Sequence, residues 1–412
     1  MAEKIRLNID GKEVSGFAGQ TILEVATENN IDIPTLCYDE KVKIYGSCGL
    51  CVVEMEGSPK LLRACATTIA NGMVISTNTE RVRASRKAAL ELLMSDHVGD
   101  CRPPCSLNCP AGTDCQGYIG MVANGQLKQA AKLIKDVFPF PSSIGRICPH
   151  PCETACRRGL IGDPVSIAYI KAYIGDKDLE SGHPYVKPIE PDTGHTVAII
   201  GGGPAGLTAG YQLRSKGHKV TIYDAMPKMG GMLRYGIPEY RLPKAILDKE
   251  IALIEGMGIE MIHDVSVGTD ISFQYIRENY DAVLVAAGAW SSVWMNIPGE
   301  GNENVFGGID FLRKVTQGEE IFAGKDIAVV GGGNTAMDAC RSAIRLGADH
   351  VYCIYRRTRD EMPAEKDEIR EAEEEGVIFK FLSNPLEIVS SPDGGIDHVL
   401  LQKMGLGAPD ES

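Results

Sequence analysis

The stretch HVGDCRPPCSLNCPAGTDC sets Cys101, Cys105 and Cys109 three residues apart, adds Cys115 after five more, and puts His97 ahead of them all. Thiols this dense are metal ligands in a reducing compartment and disulfide partners in an oxidising one. The gaps differ from the two-residue gaps of the common ferredoxin run. Two other sets surround it: Cys37, Cys48, Cys51 and Cys65, spaced C-x10-C-x2-C-x13-C, and Cys148, Cys152 and Cys156 in RICPHPCETACRRG. Eleven of the 13 cysteines precede residue 157. The other two, Cys340 and Cys353, lack metal spacing and read as core thiols. The opening MAEKIRLNID is a polar strand rather than a secretory signal, so ligation is the expected use of the clustered thiols and disulfides are not.

In the first set, YGSCGLC flanks Cys48 and Cys51 with glycines, which lets a loop wrap a cluster with its amides toward sulfur. Only one of its spacings is short, whereas a four-cysteine zinc site has two short pairs. A [2Fe–2S] cluster is therefore expected, with zinc as the alternative.

Two glycine-rich turns follow. In HTVAIIGGGPAGLTAGYQLRSKGHKVTIYDA, Gly201, Gly203 and Gly206 lie between an apolar strand and a helix opened by Pro204 and Ala205, and Asp224 ends the next strand. That is a dinucleotide fingerprint: a tight turn, a close approach for pyrophosphate at the helix amides, and a carboxylate for a ribose diol. KDIAVVGGGNTAMDACRSAIRLGADHVYCIYRRTRD repeats it with Gly331, Gly333, Asn334, Thr335 and Ala336. Here Arg356 and Arg357 stand where a carboxylate would repel a 2′-phosphate, so NADP(H) is preferred to NAD(H). A solvated basic turn is the plainer reading of the two arginines.

These residues need elements to hold them. Strands 4–9 and 12–17 should form a hairpin about Asp10-Gly11, followed by a helix in TILEVATENN that stops at Asn29-Asn30. Residues 81 to about 180 read as mainly helical, with helices near 116–123 and 126–136 forming a hairpin. SGHPYVKPIEPDTGH is the best linker, and beyond Thr196 strand, turn and helix alternate. EIREAEEEG is the exposed face of a helix. The chain is 44% apolar and 24% charged, with no run long enough for a membrane helix, and its net charge of −13 argues against a nucleic-acid footprint. No nucleic-acid partner and no membrane insertion are expected, and the cytoplasm is the expected compartment.

The first 80 residues resemble the [2Fe–2S] ferredoxin domain that begins the large iron–sulfur subunit of respiratory complex I and of related hydrogenases and formate dehydrogenases. The second and third cysteine sets together resemble the N-terminal domain shared by the glutamate synthase small subunit and dihydropyrimidine dehydrogenase. That resemblance implies two [4Fe–4S] clusters with crossed ligands: Cys101, Cys105 and Cys156 on one, and Cys109, Cys148 and Cys152 on the other. The family's upstream cysteine is missing, and His97, which also resembles a histidine-ligated cluster motif in complex I, stands in that region. It is either the fourth ligand or a solvated polar residue. The family's side-chain oxygen ligand maps near Lys171, whose ammonium is a poor ligand. Cys115 is the natural substitute, or else a small buried hydrophobe.

From residue 98 onward the motif order also matches the glutamate synthase small-subunit family. The resemblance implies that the first nucleotide fold binds FAD and the second NADPH. Gly230-Gly231, Leu233, Arg241 and Val267 are then expected along the flavin, and Arg356 and Arg357 at NADPH. The expected architecture is α+β and multidomain. A β-grasp ferredoxin domain (1–80) precedes a helical two-cluster domain (81–185), an FAD-binding Rossmann-like domain (186–320) and an NAD(P)H-binding one (321–412). The family's late Gly-Asp flavin motif is missing, so a fragment of a longer polypeptide, or a partner that completes the flavin site, is expected.

No nucleophile, general base or open metal site for a further substrate stands out. The expected role is an electron-transfer oxidoreductase subunit carrying electrons between NADP(H), FAD and clusters, to or from a catalytic subunit of formate dehydrogenase or hydrogenase type. Alternatives are a stand-alone or electron-bifurcating NADPH:ferredoxin oxidoreductase, with ferredoxin as partner, and a glutamate synthase small subunit. A zinc-stapled scaffold without catalysis is the reading from another class.

Overall fold

In the computed structural model, which describes residues 4–95, 102–319 and 326–407, contacts divide the chain into two compact units, Met1–Cys101 and Arg102–Ser412. The first is built on strands β1 (Lys4–Ile9) and β2 (Lys12–Phe17), an antiparallel pair turning through Asp10 and Gly11 at φ 48° and 83°. Both positive φ values explain why Asp-Gly occupies the turn. Helix α1 (Ile22–Glu28) starts in a reciprocal cap, with the Glu24 amide donating to the Thr21 hydroxyl and the Thr21 amide to the Glu24 carboxylate. It buries Ile22, Leu23, Val25 and Ala26.

Strands β3 (Val52–Met55), β4 (Leu62–Arg63) and β5 (Val74–Ser76) complete a five-stranded sheet of order β2-β1-β5-β3-β4. Helix α2 (Glu80–Ser95), expected with the helical domain, sits in this first unit. Its N-terminal half is the reason: Val82 is buried, Arg81 pairs with Glu54, and Arg86 donates to the Val52 carbonyl.

The second unit begins with helices α3 (Pro104–Leu107), α4 (Cys115–Ala123), α5 (Leu127–Lys135), α6 (Pro141–Ile147), α7 (Pro151–Thr154) and α8 (Ile167–Glu180). The α4–α5 hairpin brings the chain back so that α3 lies against α7. Helices α6 and α8 approach backbone to backbone at Gly145 and Gly175. A Cβ on Gly145 would lie 2.4 Å from the Ala172 nitrogen, and one on Gly175 2.5 Å from the Ser142 nitrogen.

The linker at 181–195 is pinned rather than loose. The buried Lys135 ammonium holds Asp178 and the Tyr185 carbonyl, and the Lys187 amide donates to the Tyr211 hydroxyl.

Next come β6 (Thr196–Ile200), α9 (Pro204–Ser215), β7 (Lys219–Tyr223), α10 (Met232–Tyr235), α11 (Lys244–Glu255), β8 (Glu260–Ile262), α12 (Phe273–Asn279) and β9 (Ala282–Val285). Their strands form a parallel sheet of order β8-β7-β6-β9. Then α13 (Gly308–Gln317), β10 (Asp326–Val330), α14 (Asn334–Arg345), β11 (His350–Ile354), α15 (Lys366–Glu374) and β12 (Ile378–Lys380) build a second parallel sheet, followed by the hairpin β13 (Ser383–Ser390) and β14 (Ile396–Lys403).

One apolar core runs through the helical layer and the first nucleotide fold, joining Cys115, Tyr118, Ile134 and Phe140 to Ile199, Leu207 and Tyr211. The second nucleotide fold has its own core around Met337, Cys340 and Cys353.

Candidate cluster and nucleotide sites

In the first unit, Cys51 and Cys65 are buried with their sulfurs 3.3 Å apart, and Cys37 and Cys48 are half-buried beside them. The loop that presents them turns at Gly46 and Gly49, φ 65° and 72°. The Leu50 amide lies 3.5 Å from the Cys48 sulfur. The Cys48 amide donates to Cys37 and, with help from Ser47, holds that thiol down to about 7. Burial, and then the neighbouring Cys51, push Cys65 up to about 12. Four sulfurs facing one loop whose amides point at them fit a [2Fe–2S] cluster, because such donors stabilise sulfur-borne negative charge.

In the second unit, Cys109 and Cys115 flank Thr113, whose hydroxyl lies 3.0 Å from one sulfur and 3.6 Å from the other. The Cys109 thiol donates to Cys115, which with burial pushes it up to about 12. Cys115 is paired in turn with Cys152, and that bond lowers Cys152 while the nearby Cys148 opposes and Lys171 assists. Sulfurs from both segments thus meet: Cys109 and Cys115 from one side, Cys152 and Cys148 from the other. Cys105 on α3 and Cys156 after α7 are half-buried. His97 and Cys101 lie outside the described residues. Among those described, no cysteine forms a disulfide, and no three His, Cys, Asp or Glu side chains close round a point as one bound ion requires. Lys171 is buried with its side-chain nitrogen 5.6 Å from the centre of the Phe138 ring.

The first glycine turn follows β6. Gly201 has φ 112°, and a Cβ there would lie 2.3 Å from the Ala286 carbonyl oxygen; one on Gly206 would lie 1.9 Å from the Gly201 oxygen. Gly203 caps α9, with Pro204 and Ala205 in its first turn. Gly231, φ 49°, faces Gly203 so closely that a Cβ would come within 2.7 Å of its Cα. The Gly230 amide donates to the Gly202 carbonyl, joining the two glycine segments.

Leu233 is buried beneath them, and its carbonyl accepts from Lys244, whose ammonium also serves the Ile237 and Leu242 carbonyls. Burial lowers Lys244 to about 8. Val267 lies beyond β8, partly buried against the cluster of Tyr223 and Ile276.

Two expected flavin-side residues have other partners. The Asp224 carboxylate, read as a ribose ligand, accepts from the Gly202 amide at 2.5 Å and the Met226 amide at 2.8 Å, so it props the glycine turn. Arg241 reaches the second nucleotide fold, at 2.8 Å from Asp338 and 3.0 Å from Glu368. Its neighbour Tyr240 lies under the guanidinium of Arg345, 3.9 Å from the ring centre, and donates to Asp338.

The second turn repeats the first. Gly331 has φ 140°, Gly333 caps α14, and Ala336 is buried as the packing residue. Asn334 accepts from the Glu365 amide, and Thr335 lies beside Gly308. Tyr355 takes the place that Asp224 holds in the first fold, its ring lying over Gly332. Arg356 and Arg357 are exposed, and among the described residues neither side chain has an ion pair or hydrogen bond, whereas Arg359 is held by Glu373. The sequence reading missed Tyr355, Lys244, Tyr118 and the acids that receive Arg241. Only Tyr118 had a legible signal, three residues after Cys115 on one helix face.

Two fingerprint folds behind two cysteine-rich domains define a redox protein that handles nucleotide cofactors and clusters. Residues 195–405 match the pyridine nucleotide-disulphide oxidoreductase family, residues 2–80 a 2Fe-2S iron-sulfur cluster binding domain, and residues 77–183 dihydropyrimidine dehydrogenase domain II, 4Fe-4S cluster.

The chain belongs to the pyridine nucleotide-disulphide oxidoreductase family, within the group that includes the glutamate synthase small chain. It is 40% identical over 333 residues to NADP(+)-dependent formate dehydrogenase subunit beta of Moorella thermoacetica, covering 75% of this chain and 47% of that protein. It is 41% identical over 315 residues to NADPH-Fe(3+) oxidoreductase subunit beta of Geobacter sulfurreducens, again 75% and 47%. Against the glutamate synthase [NADPH] small chain of Escherichia coli K12 the identity is 35% over 322 residues, covering 75% and 68%. The chain thus spans about half the length of the first two relatives. The architecture is that expected: a 2Fe-2S domain, a 4Fe-4S domain, then an FAD/NADP oxidoreductase fold. No described helix is long and apolar enough to cross a membrane.

Proposed function

We propose that this chain conducts electrons between NADP(H) and a catalytic partner subunit in the cytoplasm, through FAD, two [4Fe–4S] clusters and one [2Fe–2S] cluster. The supporting observation is the unbroken core joining the helical cysteine layer to the first nucleotide fold. Glu250 on α11 reinforces that join by accepting from the Ser142 and Ser143 amides and the Ser143 hydroxyl. A conduit needs its carriers at a constant separation, and these two layers share one hydrophobic interior. Flavin, when bound, exchanges a hydride's two electrons with carriers that take one at a time. The chain's residues do the holding. Gly201, Gly203, Gly206, Gly231 and Leu233 would line the FAD, and Gly331, Gly333 and the two unpaired arginines the NADP(H).

Cys37, Cys48, Cys51 and Cys65 would hold the [2Fe–2S] cluster, and Cys109, Cys115, Cys148 and Cys152 one cubane. Cys101, Cys105, Cys156 and His97 are assigned to the other. The domain limits proposed are 1–80, 81–185, 186–320 and 321–412, except that α2 (Glu80–Ser95) packs with the first domain. The name of the Moorella relative favours a formate dehydrogenase partner over a hydrogenase.

Anaerobic purification of the full native protein tests the reading. About ten iron and ten sulfide per chain, with NADPH-driven viologen reduction, are expected. A colourless zinc protein would refute the proposal, and co-purification with a hydrogenase subunit would refute the choice of partner.

A further inference from the structure

Tyr118 and Tyr211 are the largest fully buried side chains among the described residues. The Tyr118 hydroxyl, at 1% exposure, has no partner at ordinary hydrogen-bond geometry, and the one side chain it approaches as a hydrogen-bond partner is the thiol of Cys115. A buried phenol almost always finds a partner, because leaving one unpaired costs about 1–3 kcal/mol. A buried phenol whose one approach is a loosely placed thiol is therefore poised for a stronger acceptor.

Its surroundings say which. Tyr118 lies one turn after Cys115 on α4, so the two side chains share a helix face. Both belong to the core cluster that contains Cys152, with Cys109 packed against it. Burial holds the hydroxyl well above the ordinary phenol range, and the groups bearing on it are Cys115, by charge and by hydrogen bond, and then Cys152 and Cys109. Those same sulfurs are already joined through the Thr113 hydroxyl and through Cys115. As neutral thiols they are weak acceptors; as cluster-bound thiolates they become strong ones.

We propose that Tyr118 is a positioning and tuning residue of this cubane, its hydroxyl donating a hydrogen bond to the Cys115 thiolate. The inference rests on the assignment of Cys115 as a ligand. A donor to sulfur stabilises the more negative, reduced state more than the oxidised one, so it raises the reduction potential. Lys171, buried on the Cys152 side, acts in the same direction by charge. Both make this cubane easier to reduce than it would be without them.

The test is a redox titration of the full-length protein, purified anaerobically and followed by paramagnetic resonance. Tyr118→Phe removes one oxygen and keeps the ring. The expected result is wild-type iron and sulfide content, one cubane midpoint shifted to more negative potential, and the other cubane and the [2Fe–2S] centre unmoved. Unchanged midpoints at full cluster content would overturn the proposal, and so would loss of the cubane, which marks a purely structural role.

Cys115→Ser separates this from the underlying assignment. If both cubane signals survive that change unaltered, Cys115 is no ligand and the proposal falls with the assignment. In the unmutated protein, exchange into deuterium oxide is expected to add a deuteron coupling to one reduced cubane. Its absence there, or its persistence in Tyr118→Phe, would also overturn the inference.

Discussion

Glu250 on α11 accepts the backbone amide of Ser143 at 3.1 Å, joining the first nucleotide fold to the start of a helix in the cysteine-rich layer. The carboxylate is completely buried, and burial pushes it up to about 7 from 4.5 against three donors that hold it down. Between those two values the folded protein keeps a proton that the unfolded chain releases. Stability therefore falls as pH rises through about 4.5 to 7, and levels off above. The size is about 3 kcal/mol at most. Melting curves between pH 5 and 8 check this: Glu250→Gln is expected to flatten the fall relative to the unmutated protein.

Arg241 is held by Asp338 and Glu368, with its side chain 10% exposed. Burial, eased by Arg241, pushes Asp338 up to about 6. Arg241→Ala leaves the buried Asp338 without its cation, while Glu368 keeps Arg341, and is expected to cost about 3–5 kcal/mol. Denaturant unfolding measures the loss. FAD content separates the two readings of this residue, because a residue joining the two folds leaves flavin loading near normal while a flavin ligand does not.

Arg356 and Arg357 are the exposed, unengaged cations at the end of β11. Replacing both with alanine removes charge-assisted bonds to a 2′-phosphate, each worth about 1.5–3 kcal/mol. The KM for NADPH is expected to rise about tenfold or more, while that for NADH stays within about twofold. No loss for either nucleotide would favour the solvated-turn reading.

Gly206→Ala would set a Cβ 1.9 Å from the Gly201 carbonyl oxygen, a backbone atom that cannot rotate away. The expected outcome is protein without bound flavin but with the [2Fe–2S] signal intact, since that site lies in the other compact unit.

Much of the molecule was legible from local pattern. The Asp10-Gly11 turn, the α1 stop at Asn29, the α4–α5 hairpin and both glycine turns follow from residue types at short range, and short-range sterics decide them. The grouping of Cys109 with Cys152 was reached through resemblance, because no spacing rule links sulfurs so far apart in the chain, and Cys115 was added as the nearby soft substitute where the family's ligand is missing. Arg241 shows the converse: its motif pointed to flavin, while its partners Asp338 and Glu368 come from helices about a hundred residues away.

The sequence alone determined which chemistries are available: clustered thiols for iron–sulfur centres, two fingerprints for dinucleotides, and arginines where one fold has an acid. These depend on residue identity and on geometry within a turn or two. Only the tertiary structure decided that Asp224 braces its own glycine turn, that Tyr355 fills the matching place in the second fold, and that the buried Tyr118 hydroxyl faces the sulfurs. Those outcomes depend on which surfaces are buried together, and burial turns an ordinary hydroxyl or carboxylate into a group that must have a partner.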